Sequence, residues 1–207
     1  MPALGAQYLA SMKEPPSREK LYRWLGQLRL EVQTLFLYRK LWRQFIGTAE
    51  SAGVPRSFMF TFLAEAYATR QAMVIRRVCT GQRGQYSFRH LLTAIRDHPA
   101  STRNRTDPHD VEKDLRGLEA GNLWRVRKYV DQYIAHNQES PVAKLATFDD
   151  IDAAIDQLGM LLRKYLVLVE GEDQSMDTTV AGDVMAPFRM AWLPTLSERP
   201  RPGRPQL

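Results

Sequence analysis

The chain has 207 residues, which suffices for one substantial hydrophobic core, so we expect one domain with an appendage. Hydrophobic residues make up 44% and charged residues 25% of the chain, a balance typical of globular proteins that argues against a largely disordered one. The net charge of +6 fits either a polyanionic partner or simply a well-solvated surface.

A long amphipathic helix is predicted first along the chain. Pro15 and Pro16 block any earlier helix, and Ser17 can cap the one that follows. Apolar residues then recur at helical spacing from Leu21 to Phe45. This helix should end between Gly47 and Gly53, where glycine interrupts the pattern.

A second long helix is predicted to follow. Pro55 suits its first turn, and the helical pattern runs to about Cys79 before glycines close it. The residues expected on its inward face are Phe58, Phe62, Ala66, Met73 and Val74.

Two shorter helices come next. Ser87 is a capping residue for the third helix, which Pro99 forces to end after His98. Asp107 followed by proline is a good start for a fourth helix, and Gly121 predicts a break after it.

The helical pattern returns from Leu123 to His136, and a last long helix follows. Thr147 with Asp150 three residues later is a capping pair for this last helix, which Gly171 terminates. The remaining chain has an apolar run and then a Pro/Arg-rich end that cannot hold a regular helix.

The predicted architecture is therefore all-α, an up-and-down bundle of about five to six helices, because long amphipathic helices must bury their apolar stripes against each other. We expect an N-terminal extension at 1–16, the bundle at 17–170, and a tail at 171–207 that is partly disordered or docks onto a partner. No window reaches the roughly 18 uninterrupted apolar residues of a membrane span, and the N-terminus lacks an export signal. We expect a cytoplasmic protein without a membrane partner.

The stretch from Arg125 to Asn137 holds the most informative group of candidate functional residues. It places three cations, Arg125, Arg127 and Lys128, eight to eleven residues before His136, with Asp131 between them. A histidine titrates near neutral pH and can move a proton, and a nearby guanidinium can stabilise negative charge on phosphate. Those are two requirements for cleaving RNA without a metal, with the 2′-hydroxyl as nucleophile.

Two short motifs resemble the HEPN family, in particular HEPN proteins of the abortive-infection U type. They are Ile134-Ala135-His136 at a helix end and the capped start Thr147-Phe148-Asp149-Asp150-Ile151, and the resemblance covers roughly residues 18 to 170. It implies a helical homodimer that acts on RNA as a metal-independent endoribonuclease in prokaryotic antiviral defence or a toxin–antitoxin system.

One position departs from the family pattern. Where the family has an arginine before the histidine, this chain has Val130, although the polar partner Asp131 is present. A cation from a neighbouring turn or from the other subunit could replace that arginine. The expected catalytic residues are His136, Asp131, Arg127 and Arg125, and the expected nucleic-acid-binding residues are Lys128, Tyr133 and Asn137.

Each of these residues also has a purely structural interpretation. His136 can complement the dipole at a helix C-terminus, the cations can form a solvated face, and Tyr129 and Tyr133 can be packing residues. The alternative function is therefore a non-catalytic helical bundle that binds a protein or nucleic-acid partner, partly through the tail.

Cofactor and partner expectations follow from the remaining residues. Cys79 is the single cysteine and is expected in the core, and the other histidines lack the spacing of metal ligands, so we expect no metal or cofactor. The chain has more large apolar residues, among them Trp24, Trp42 and Trp124, than we expect one small bundle to bury. This excess also favours a homodimer.

Overall fold

The structure is a computed structural model that describes residues 15–51, 58–80, 86–103, 106–134 and 146–171. Within these ranges there are α-helices and no β-strand, which confirms the predicted all-α bundle. The α-helices in the described residues are α1 (Arg18–Ser51), α2 (Phe58–Thr80), α3 (Phe88–Asp97), α4 (Pro108–Gly117), α5 (Gly121–Tyr129) and α6 (Phe148–Glu170). A 3-10 turn (Pro99–Ser101) follows α3, and a π-helical turn (Val130–Ile134) continues α5. None of these helices is long and apolar enough to cross a membrane.

Several helix ends lie where local sequence signals predicted them. The Ser87 hydroxyl accepts a hydrogen bond from the N–H of His90 and so caps α3. Thr147 and Asp150 form both halves of a capping box at the start of α6, because each side chain accepts from the backbone N–H of the other residue. Gly171 ends α6 with a φ of 81°, a left-handed conformation that favours glycine.

The centre of the bundle is the packing of α1 along α6. In this contact a Cβ added to Gly159 would lie 2.7 Å from the ring of Phe36, so only glycine fits there without a shift. Arg39 of α1 also forms an ion pair with Asp156 of α6 at 2.8 Å. The buried faces are Leu21, Leu25, Leu28, Val32 and Leu35 from α1, and Ile151, Ile155, Leu158, Leu162 and Tyr165 from α6.

The predicted inward face of α2 is wrong for most of its residues. Phe58, Phe62 and Met73 are 87%, 56% and 51% exposed, Ala66 is also exposed, and of that set only Val74 is buried. The residues of α2 that enter the core are Gln71, Ala72, Val74, Ile75, Val78 and Cys79. The helix thus has two apolar stripes, and periodicity alone does not tell which of them faces the bundle.

The backbone changes from α-helical to π-helical at the end of α5. Val130, the first residue of the π-helical turn, is 2% exposed and belongs to the core. Such turns widen a helix by one residue and occur frequently at functional sites. Asp131, the residue after Val130, is accessible to solvent and faces α2.

Candidate functional site

An ion pair joins α2 to the π-helical turn. The Nε of Arg76 donates to Oδ1 of Asp131 at 2.5 Å, and the two side chains are 29% and 43% exposed. Asp131 was one of the expected catalytic residues. The cation that it contacts is Arg76, which lies 55 residues earlier in the chain and was not among the predicted site residues.

Val130 and Asp131 project to different surroundings although they are neighbours. Val130 packs in the hydrophobic core, whereas Asp131 reaches the surface where Arg76 lies. A side chain at position 130 is therefore surrounded by apolar groups. The guanidinium that contacts Asp131 comes from α2.

The three predicted cations each contact a different part of the bundle. Arg125 forms an ion pair with Asp150 at the start of α6, with 3.1 Å between Nη1 and Oδ1. Arg127 donates from Nη1 to the backbone carbonyl of Leu118 at 3.1 Å. The Nζ of Lys128 lies 5.0 Å from the ring centroid of Trp124, whose helix it shares. These contacts spread the cations over the surface of α5.

The remaining predicted site residues fall at the edge of the described chain. His136 and Asn137 lie outside the described residues, and so does the side chain of Tyr133. The described π-helical turn ends at Ile134, two positions before His136.

An open face of α2 lies beside the pair of Arg76 and Asp131. Its residues include Phe62, Met73, Arg70, Arg76 and Arg77, all from this one helix. The guanidinium carbon of Arg70 lies 3.8 Å from the ring centroid of Tyr38 in α1. Arg77 pairs with Glu31, also in α1, at 2.6 Å. Arg70 and Arg77 therefore contact α1, and Arg76 contacts the π-helical turn.

The sequence signal for this face of α2 is the spacing of its arginines. Arg70 and Arg77 are seven residues apart, which puts them on one side of a helix, and Arg76 lies next to them. That spacing indicates a basic helix surface. It does not identify Asp131 as the neighbour of Arg76, because the contact depends on how α2 packs against the end of α5.

The tryptophans that favoured a homodimer have contacts inside the chain. Trp42 stacks on Tyr67 with 4.9 Å between ring centroids and also lies 6.0 Å from the ring of Phe148. Trp24 packs against the core, and Trp124 is 45% exposed beneath Lys128. The homodimer stays a prediction. Because these tryptophans have contacts within the chain, they give it little support.

Cys79 lies in the core, as predicted. Burial raises the pKa of its thiol to about 12, so the group stays protonated and unreactive at neutral pH. Its role is packing.

The chain was compared with models of protein families, with curated proteins and with solved structures, and none of the three comparisons gives a match.

Proposed function

We propose that this protein is a HEPN-like bundle that cleaves RNA without a metal ion, and that Arg76 supplies the guanidinium absent from position 130. The ion pair between Arg76 and Asp131 is the observation that carries this proposal, because it holds a cation beside the π-helical turn that leads to His136. The HEPN resemblance connects such an activity with prokaryotic defence.

The proposed reaction uses three side chains in separate roles. His136 takes the proton from a ribose 2′-hydroxyl, and the 2′-oxygen attacks the adjacent phosphorus. The bond to the 5′-oxygen breaks, that oxygen takes up a proton from water, and a 2′,3′-cyclic phosphate remains. Arg76 donates hydrogen bonds to the non-bridging oxygens as negative charge builds up on them, and Asp131 orients Arg76.

The geometry of the ion pair suits this division of roles. Asp131 accepts from the Nε–H of Arg76, so this contact leaves both Nη groups of the guanidinium for phosphate. A partly exposed pair remains accessible to an RNA backbone. A π-helical turn at this position also supports a functional site, since such turns recur where proteins bind or react.

The test is a cleavage assay with labelled RNA and an excess of chelator. The purified protein should cut the RNA and leave cyclic phosphate ends, and His136→Ala should reduce the rate by at least about a hundredfold. Salt-sensitive RNA binding without any cleavage by the unmodified protein would contradict the catalytic role. Absence of RNA binding at low salt would contradict the whole proposal.

A second candidate function is a non-catalytic bundle that binds another protein. The exposed apolar residues Phe58, Met59 and Phe62 at the start of α2 favour it, because large apolar groups clustered on one surface often mark an interface. The same assay separates the two functions. A protein-binding bundle should neither bind nor cut RNA.

A further inference from the structure

Helix α2 has an apolar stripe that does not enter the core. Phe58, Phe62, Ala66 and Met73 recur along it at helical spacing, and we call these four residues the outer stripe of α2. Phe58, Phe62 and Met73 are each more than half exposed. Large apolar side chains at such regular spacing are typical of a surface that another segment covers.

The dimensions of the outer stripe fit a short peptide segment better than a second folded copy. At the rise of an α-helix the distance from Phe58 to Met73 is about 22 Å, and the stripe is one helix wide. A stable interface between two folded proteins takes roughly 20–30 residues from each of them, and the stripe of one helix provides only a fraction of that. Charge does not choose the occupant, because the arginines Arg76 and Arg77 near the end of α2 are already paired with carboxylates.

The sequence after α6 contains a segment of suitable length and polarity. Residues 184–193 read Val-Met-Ala-Pro-Phe-Arg-Met-Ala-Trp-Leu and are apolar at eight of ten positions. The linker 172–183, which connects them to Gly171, has four acidic residues and no basic one. It can therefore pass the arginines near the end of α2 without repulsion. Both ranges lie outside the described residues.

The position at which α6 ends puts the outer stripe within reach of this linker. The hydroxyl of Tyr22 donates to a carbonyl in the last turn of α6 at 3.4 Å, so α6 ends beside the start of α1. Arg77 of α2 pairs with Glu31, which lies nine residues after Tyr22, or about 14 Å further along α1. Met73 is one turn beyond Arg77, so the stripe begins about 20 Å along the bundle from the end of α6. The twelve linker residues can span up to about 40 Å.

We infer that residues 184–193 of the same chain dock on the outer stripe of α2. A short tether gives the segment an effective concentration on the order of millimolar at the stripe, which a second copy at micromolar concentration does not reach. Apolar side chains of the segment, among them Phe188 and Trp192, then cover Phe62 and Met73. Because the second candidate function uses the surface around Phe62, the docked segment would compete there with a protein partner.

The experiment is photo-cross-linking in the full chain. The photoreactive amino acid p-benzoylphenylalanine replaces Phe62 on the outer stripe or, as the control, Met160 on α6, which is 68% exposed. Isotopically labelled and unlabelled proteins are mixed before irradiation. Mass spectrometry of the digested products then separates links within one chain from links between copies.

Two pairs of substitutions are combined with the photoreactive group at position 62. Phe188→Ser with Trp192→Ser removes the two aromatic side chains of the segment. Met176→Ser with Leu196→Ser is the matched control, because it removes two large apolar side chains on either side of the segment. The yield of cross-linked product is compared among the three proteins.

The group at position 62 should link to residues 184–193 of the same chain, and the group at position 160 should not. Phe188→Ser with Trp192→Ser should lower the yield of these links at least about fivefold, since aromatic anchors dominate such contacts. Met176→Ser with Leu196→Ser should leave the yield unchanged. Links from position 62 to another copy would overturn the inference in favour of self-association. Absence of links to 184–193, or an undiminished yield after Phe188→Ser with Trp192→Ser, would overturn it as well.

Discussion

Arg76 of α2 and Asp131 of the π-helical turn form an ion pair in which Nε and Oδ1 are 2.5 Å apart. The pair joins the open face of α2 to the last described turn before His136. Because both side chains are partly exposed, the pair contributes little to folding, on the order of 1 kcal/mol or less.

The environment of Val130 predicts the effect of restoring the family arginine there. Val130 is 2% exposed in the core, so Val130→Arg would bury a guanidinium without a partner. We expect this variant to lose at least about 3 kcal/mol of unfolding free energy, and Val130→Ala to lose roughly 1–3 kcal/mol. Urea denaturation followed by circular dichroism measures both. Equal stability of Val130→Arg and the unmodified protein would show that position 130 faces solvent.

Two glycine substitutions, Gly159→Ala in α6 and Gly47→Ala in α1, should have opposite effects on the free energy of unfolding. A Cβ at Gly159 would lie 2.7 Å and 2.9 Å from two ring atoms of Phe36, so Gly159→Ala should destabilise the fold by roughly 1–3 kcal/mol. Gly47 has no atom within 4 Å of such a Cβ, so Gly47→Ala should stabilise it by about 0.5–1 kcal/mol through helix propensity. Thermal denaturation of the two variants is the measurement. If both substitutions raise the melting temperature, the close approach of α1 to Gly159 is incorrect.

Asp150 makes the stability of α6 depend on pH. Burial disfavours its charged form, but hydrogen bonds from the backbone and hydroxyl of Thr147 and from Arg125 favour that form more, so its pKa lies below the ordinary value. The charged form therefore adds stability above the unfolded-state pKa of about 3.9, and that stability is lost as pH falls through the folded-state pKa.

Asp150→Asn should accordingly lower the free energy of unfolding by about 1 kcal/mol at neutral pH and by much less in acid. In acid the carboxyl group is protonated, so the cap that the substitution removes is already weakened. Asp149→Asn, an exposed neighbour in the same turn, is the control and should leave the pH dependence unchanged. The unfolding free energy measured in urea from neutral pH to about pH 3 tests this. A cost of Asp150→Asn that does not vary with pH would rule out its carboxylate as the titrating cap.

Local signals in the sequence were sufficient to predict most helix ends. The Thr147 cap and the Gly171 terminus depend on residues within one turn of each other, so their chemistry is readable from the chain alone. The face of α2 was predicted incorrectly because Phe62 and Met73 follow helical spacing just as well as Ile75 and Val78 do. Which stripe is buried is decided by packing against other helices.

The partner of Asp131 could not be predicted for a related reason. Asp131 and Arg76 are 55 residues apart, and no local pattern connects them. The sequence instead drew attention to Arg125, Arg127 and Lys128, which are close to Asp131 along the chain. Around a helix, however, neighbours in sequence point in different directions, and a cation from another helix can be the closer one.

The most direct test of the central claim compares Arg76→Ala with Arg77→Ala in the metal-free RNA cleavage assay. Both variants remove one partly exposed arginine from the same turn of α2, and both break one ion pair with a carboxylate, so their effects on stability should be similar. Arg76→Lys tests whether the ammonium group of a lysine can replace the guanidinium group of the arginine. Circular dichroism of the three proteins checks that each is folded.

We expect Arg76→Ala to lower the cleavage rate at least about a hundredfold, as removal of one transition-state hydrogen-bond donor does, and Arg76→Lys to recover only part of it. Arg77→Ala should change the rate constant at saturating RNA by less than about threefold, since its guanidinium pairs with Glu31 of α1 and not with Asp131. Cleavage by Arg76→Ala at the unmodified rate, or equal losses in Arg76→Ala and Arg77→Ala, would contradict the assignment of Arg76 to the reaction.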